Sequence, residues 1–124
     1  MPPNFIADLD FGQQGEYLVK ELASGNGKFE VKRDRMSSKT GNIAIEIECS
    51  GKPSGITATE ADWFVYILSG DKYNDEIVLF FKTQRLRKLV AEIQGEKGYV
   101  MGGDGRRSKM VLVPIVRLLQ KEVS

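Results

Sequence analysis

The chain has 124 residues, of which 41% are hydrophobic and 28% charged, the size and composition of one globular domain. It has one cysteine, Cys49, and no histidine, which excludes a disulfide framework, a Ser-His-Asp triad and any zinc site that uses histidine. No apolar run reaches about 18 residues, and the first residues lack a signal-peptide pattern, so we expect a cytoplasmic protein without a membrane span.

The net charge of +1 conceals an uneven distribution of charged residues along the chain. Residues 1–75 carry a net charge of −4, whereas residues 76–124 carry +5. An acidic half beside a basic half suits a metal site next to a surface that binds a polyanion. The alternative is that the charges are unequal by chance.

The first half of the chain predicts one helix and two strands. The helix covers residues 10–23, and Asp10 is expected to cap its start. A strand at 28–35 has Phe29 and Val31 on one face and polar residues on the other. A strand at 42–49 alternates three isoleucines with polar residues, and Cys49 is interpreted as a core residue beside the isoleucines.

The second half begins with a capped turn at 59–62 and a fully apolar strand at 63–68, the type that lies in the centre of a sheet. The remaining predicted elements are a turn at 70–74, a strand at 76–82, a helix at 83–93 capped by Thr83, strands at 99–101 and 110–113 joined as a hairpin, and a helix at 115–123. This order predicts an α/β (α+β) fold: one domain spanning residues 1–124, with a central mixed β-sheet flanked by helices.

Three carboxylates converge if the strands at 28–35 and 42–49 pair as a hairpin. Asp34 ends the polar face of the first strand, and Glu46 and Glu48 lie on the polar face of the second. Carboxylates that lie so close together repel one another unless a cation lies among them. Mg²⁺ or Mn²⁺ is the cation that such a group of carboxylates is expected to bind. Glu16 on the first helix adds a fourth carboxylate. The alternative is that these acids simply face solvent.

The same residues resemble the PD-(D/E)xK nuclease-like superfamily, which includes restriction endonucleases, archaeal-type Holliday junction resolvases and small phage nucleases. Asp34 followed by Glu46-Ile47-Glu48 matches the superfamily motif, with Glu48 in place of the usual final lysine. The helix segment around Glu16 resembles the first helix of the resolvases. The resemblance covers residues 12–68 and implies a restriction-endonuclease-like core, a metal site at Asp34, Glu46, Glu48 and Glu16, and hydrolysis of DNA phosphodiester bonds.

The sequence does not identify the catalytic lysine, because Glu48 replaces the lysine of the motif. Lys52, in the turn after the two glutamates, is the first candidate, and Lys32 is the second. A literal Glu30-Val31-Lys32 is an alternative position for the motif, one strand earlier. Asp34 with Glu46 is preferred because it supplies an acid on each of two strands.

Basic side chains that could contact phosphates fall in three clusters along the chain. Such contacts confer affinity that is independent of sequence and sensitive to salt. Taken singly, each cluster is also what a solvated protein surface contains. The residues expected to bind DNA are Arg33, Arg35, Lys39, Lys82, Arg85, Arg87, Lys88, Arg106 and Arg107.

The sequence therefore predicts a Mg²⁺-dependent DNA endonuclease with Asp34, Glu46, Glu48 and Lys52 as catalytic residues. Its expected partners are duplex or branched DNA and a second copy of the chain, because one small active site cuts one strand. If the chain is instead a protein-interaction module, Trp63 or the last helix would supply its hydrophobic dimer surface. The alternatives are a non-catalytic nucleic-acid-binding module and a protein-interaction module that keep the nuclease fold.

Overall fold

The computed structural model describes residues 5–69 and 76–119, which form a mixed α+β fold. Its helices are α1 (Phe5–Ala23), the single turn α2 (Ser37–Thr40) and α3 (Thr83–Lys97). Its strands are β1 (Phe29–Asp34), β2 (Asn42–Cys49), β3 (Lys52–Pro53), β4 (Trp63–Ser69), β5 (Glu76–Lys82), β6 (Val100–Gly102) and β7 (Ser108–Pro114). Short 3₁₀ turns lie at Gly55–Thr57, Asp104–Arg106 and Ile115–Leu119.

The strands form two sheets, not the one central sheet that the sequence predicts. One has the order β1-β4-β5, with β1 parallel to β4, and the other has the antiparallel order β3-β2-β7-β6. The predicted hairpin of β1 with β2 is therefore wrong. Between these strands the chain makes the turn α2, which ends at Gly41 with a positive φ of 73°, and this turn directs β2 into the second sheet.

One hydrophobic core joins both sheets to α3. Ile43 and Ile45 of β2 are fully buried, as the alternating pattern predicts, and they lie in the same cluster as Phe64 of β4 and Leu86 of α3. The cluster also includes Val111 and Val113 of β7. Each sheet and helix α3 bury one apolar face in this core. The apolar face of each of these three layers is therefore shielded from water only when the other two are in place.

The strands at 42–49, 63–68 and 76–82 and the hairpin near the end of the chain are confirmed within a few residues. Helix α1 starts at Phe5, so Asp10 lies inside the helix, where its carboxylate accepts a hydrogen bond from Gln14. Thr83 is the first helical residue of α3 and is buried, so its predicted role as the cap is wrong; Lys82 occupies the N-cap position and makes no capping hydrogen bond with its side chain. The predicted turn at 70–74 and the last residues of the 115–123 helix lie outside the described residues.

Strand β1 has its polar side chains on its better covered face. Phe29 and Val31 are 39% and 56% exposed, whereas Lys32 and Asp34 lie between the sheets and are half-buried. The predicted alternation is present, but the apolar residues face outward. Within the described residues, no helix is long and apolar enough to cross a membrane.

Gly55 fixes the 3₁₀ turn that follows β3 against strand β2. Its φ is +54°, and a Cβ added there would overlap the carbonyl oxygen of Glu46. Gly51 also has a positive φ, of +80°, but a Cβ added there meets nothing within 4 Å. At both positions any other residue would be strained by the left-handed backbone conformation, and at position 55 its side chain would also clash with the backbone of β2.

We expect Gly51→Ala to lower the free energy of unfolding by about 1–2 kcal/mol through backbone strain alone. Gly55→Ala should lower it by roughly 3 kcal/mol or more, because strain and overpacking combine. Urea denaturation of both variants measures the difference. Equal losses in the two variants would contradict the close approach of Gly55 to β2.

Candidate active site

A cleft of about 290 Å³ opens where the end of β1 meets β2 and β4. Asp34 and Glu46 both line this cleft, which is named the Asp34 cleft below. The two acids come from different sheets, and the structure brings them together without the hairpin that the sequence predicts. Its lining residues are Lys32, Arg33, Asp34, Arg35, Met36, Ala44, Glu46, Gly55, Phe64, Tyr66 and Met110.

The carboxylate of Asp34 organises the start of the α2 turn. Its Oδ1 accepts hydrogen bonds from the backbone N–H groups of Met36 and Ser37, both at 2.8 Å. Its Oδ2 accepts a longer bond of 3.4 Å from the N–H of Ala44 on β2. Asp34 thus holds its carboxylate in one orientation at the cleft, and Oδ2, which accepts one long bond, retains lone-pair capacity for a further ligand.

Glu46 is positioned from the opposite side of the cleft. Its Oε1 accepts a hydrogen bond from the hydroxyl of Ser108 on β7, which is itself buried. The backbone of Glu46 is held by the close approach of Gly55. The side chain is therefore fixed by β7, which lies far from it in the sequence, while its backbone lies against the nearby turn at Gly55.

Glu48 does not line the Asp34 cleft, although it follows Glu46 at strand spacing. The pairing of β2 with β7 shifts its register between Glu46 and Glu48, and Lys109 of β7 forms a 3.1 Å ion pair with Glu48. The hydrogen bond with Glu48 raises the pKa of Lys109, whose ammonium also lies 4.2 Å from the Tyr99 ring centre. The β-bulge thus separates the two glutamates that the alternating pattern places together.

The expected convergence of several acids on one cation is not found in the part of the chain that the structure describes. Across residues 5–69 and 76–119, no three acidic or cysteine side chains are close enough to hold a metal ion together. Glu16 is exposed on α1 and is not among the residues lining the Asp34 cleft. Two carboxylates, Asp34 and Glu46, are what this cleft offers.

The two lysines considered as the catalytic cation lie in different places. Lys32 lines the Asp34 cleft, and its ammonium lies 3.4 Å from a carboxylate oxygen of Glu30. Lys52 lies in the two-residue strand β3, exposed and paired with Cys49 at the end of β2, and it is not a lining residue. Cys49 is only half-buried, less covered than a core position.

Tyr66 is a site residue that the sequence interpretation missed. Its hydroxyl donates a 3.0 Å hydrogen bond to the carbonyl oxygen of Ala44. Burial raises the pKa of Tyr66 well above its usual value, and the negative charges of Asp34 and Glu46 raise it further. A tyrosine within an apolar run such as 63–68 is interpreted from sequence as a core residue. Only the register of β1 with β4, which pairs Lys32 with Tyr66, shows that Tyr66 lies beside the Asp34 cleft.

The predicted phosphate contacts lie at several separate places. Arg33 and Arg35 line the Asp34 cleft. Lys39, Arg85, Lys88, Arg106 and Arg107 are exposed on α2, on α3 and in the turn before β7. Lys82 and Arg87 line a second cleft of about 500 Å³ beside Trp63.

Arg87 has a structural role that the sequence interpretation did not predict. Its guanidinium donates hydrogen bonds to the carbonyl oxygens of Ile56, at 2.8 Å, and Thr59, and the side chain is half-buried. These bonds fasten the loop after β3 to helix α3. The predicted contact of Arg87 with DNA stays a prediction beside this structural role.

A scan against models of protein families, a search of curated proteins and a search of solved structures each found no match to this chain.

Replacing Arg87 should destabilise the fold. We expect Arg87→Ala to lower the free energy of unfolding by roughly 2 kcal/mol or more, because two charged hydrogen bonds to half-buried carbonyls are lost. The exposed Arg107→Ala, a matched arginine control, should change it by less than about 0.5 kcal/mol. Urea denaturation compares the two. Equal stability of both variants would refute the structural role.

The raised pKa of Tyr66 should make its hydroxyl ionise only at a pH well above the usual range of tyrosine. Because its pKa is higher in the folded protein than in the unfolded chain, its contribution to stability is complete below about pH 10 and decreases as the pH rises further. A phenolate absorbance titration of the folded protein should show a late component that disappears in Tyr66→Phe. Tyr17→Phe, which alters an exposed tyrosine, should leave that component in place. Its persistence in Tyr66→Phe would contradict the assignment.

Proposed function

We propose that the chain is a divalent-cation-dependent endonuclease that hydrolyses phosphodiester bonds in DNA. The observation that carries this proposal is that Asp34 and Glu46 line one cleft together with Lys32. Two carboxylates beside a lysine are the side chains that an Mg²⁺-dependent phosphodiesterase requires. The mixed α+β fold and the resemblance of residues 12–68 to PD-(D/E)xK nucleases support a restriction-endonuclease-like core as part of the same proposal.

The chemistry of the donor set fits a hard divalent ion. Asp34 and Glu46 would hold Mg²⁺ or Mn²⁺, since Mg²⁺ is commonly bound through one or two carboxylates and keeps waters for a substrate phosphate. When bound, such an ion lowers the pKa of a coordinated water and neutralises charge on the phosphate. Without it, the two acids would repel a phosphodiester.

The other polar side chains of the Asp34 cleft have different roles in this proposal. The ammonium of Lys32 supplies positive charge where the phosphate would lie, so we assign it in preference to Lys52 as the catalytic cation. The guanidinium group of Arg35 supplies a phosphate contact at the same cleft, whereas Arg33 alternates onto the opposite face of β1 with Phe29 and Val31. Tyr66 stays protonated and directs its O–H at Ala44, which makes it a positioning residue for β2.

A non-catalytic nucleic-acid-binding module is the second candidate. The observation that favours it is that the carboxylate of Asp34 already accepts three backbone N–H groups, which gives it a structural role without any metal. Calorimetric titration with Mn²⁺ separates the candidates. Saturable binding that Asp34→Asn abolishes supports the endonuclease, and DNA binding that is indifferent to metal supports the module.

Nuclease activity should depend on the two acids of the cleft. With branched and linear DNA in Mg²⁺, we expect Asp34→Asn and Glu46→Gln each to lower the cleavage rate by roughly 100-fold or more, since each removes charge from the ion site. Asp104→Asn, in the exposed turn between β6 and β7, is the matched control and should cleave normally. Cleavage that survives in both cleft variants, or that persists in EDTA, would refute the proposal.

The same assay distinguishes the two lysines. Lys32→Met should lower the cleavage rate strongly, because it removes the ammonium at the cleft, while Lys52→Met should retain it. The reverse result would restore Lys52 as the catalytic cation and contradict the role given to Lys32.

A further inference from the structure

The outer face of the three-stranded sheet is apolar, and it is exposed along its two flanking strands, β1 and β5. The register of β1, β4 and β5 places seven apolar residues on this face: Phe29, Val31, Trp63, Val65, Ile67, Val78 and Phe80. On the central strand β4, Trp63 and Val65 are buried and Ile67 is half-buried, whereas the four residues of the flanking strands are exposed. The opposite face of the same strands contributes Phe64, Tyr66 and Leu68 to the core, so the outer face cannot pack there as well. Phe80 is 46% exposed and Val31 56%.

Helix α1 is the second uncovered apolar element. Its stripe of Phe11, Gly15, Leu18 and Leu22 runs along one side, yet Phe11 is 78% exposed and Leu18 42%. An isolated helix of 19 residues that includes two glycines is marginal in water and depends on packing. Within one chain, α1 and the outer face leave each other exposed, although each has the shape to cover the other.

We propose that α1 of one copy packs on the outer face of the three-stranded sheet of a second copy, and that this contact occurs twice in a symmetric homodimer. This inference does not depend on the proposed endonuclease activity. It rests on the two uncovered surfaces, on their charges and on the area that they bury.

The charges of the two surfaces are complementary. Residues 5–23 carry a net charge of −3. Among the outer-face positions whose side chains the structure describes, the charged ones assigned by register are Arg33 and Lys82, both basic. Opposite signs at the rim of an apolar contact steer association and fix its orientation.

The area is sufficient for a stable dimer. Three strands spaced about 4.8 Å apart and about 20 Å long present about 280 Å², which matches the footprint of a helix of this length. Two symmetric contacts, each covering both surfaces, then bury roughly 1,100 Å² in total, which exceeds the about 1,000 Å² expected of a specific interface. Gly15 in the middle of the apolar stripe, with nothing within 4 Å of its Cβ position, permits a close approach to the sheet.

Light scattering after gel filtration, over a range of protein concentrations, tests the proposal on the full chain. We expect a dimer for the native sequence and a dissociation constant raised roughly 100-fold or more in Phe80→Lys and in Phe11→Lys, because each places a charge in both contacts. Leu119→Lys is the control, since Leu119 is 92% exposed and lies outside both surfaces. Val31→Lys and Leu18→Lys probe the same surfaces independently if one of the first variants fails to fold.

A mixing experiment tests the helix-on-sheet geometry itself. The Phe80→Lys chain keeps an intact helix and the Phe11→Lys chain keeps an intact sheet face, so their mixture regains one of the two contacts and should dimerise better than either alone. A native chain that stays monomeric at all concentrations would overturn the proposal, as would a dimer that both substitutions leave unchanged. Failure of the mixture to recover would also overturn it, because the helix and the sheet face would then not be partners.

Discussion

The edge of strand β2 at Ala44 is the constraint on which the arrangement of the cleft depends. The N–H of Ala44 donates to the carboxylate of Asp34, and its carbonyl accepts the hydroxyl of Tyr66. Both side chains belong to the other sheet. An unpaired strand edge next to a core needs partners for its backbone groups, and here side chains supply them.

This bridge between the sheets determines which polar groups share the cleft. Because Asp34 must reach Ala44, its carboxylate comes to lie near Glu46, which is two residues further along the same face of β2. The charges of both acids act on the Tyr66 hydroxyl, as the direction of its pKa shows. A contact that satisfies backbone hydrogen bonding therefore also gathers two acids of the kind that bind a hard cation.

Local patterns in the sequence predicted most of the strands and the long helix α3, because alternation and apolar runs are properties of single elements. The pattern of β1 gives its two faces but not the identity of the buried one, which depends on what packs against it. Likewise, the bulge that diverts Glu48 to Lys109 is a property of the pairing with β7.

The candidate site was predicted in part for the same reason. Asp34 and Glu46 were identified from their positions at the polar faces of two strands, and the structure places both in one cleft. Tyr66 and the structural use of Arg87 depend on register and on loop packing, neither of which leaves a signal in a single sequence.

The parallel pairing of β1 with β4 has a consequence for how the cleft is assembled. The carboxylate of Asp34 is fixed by local hydrogen bonds, but its strand β1 is held in the sheet by pairing with β4, and Glu46 is held by Ser108, so both acids are placed through contacts between segments far apart in the chain. Long loops must close before such contacts form, which is characteristic of slow, non-local folding steps. A fragment that ends before β7 contains both acids but lacks the hydroxyl and the neighbouring strand that orient Glu46. The geometry of the cleft is a property of the complete fold and not of the motif that reveals it.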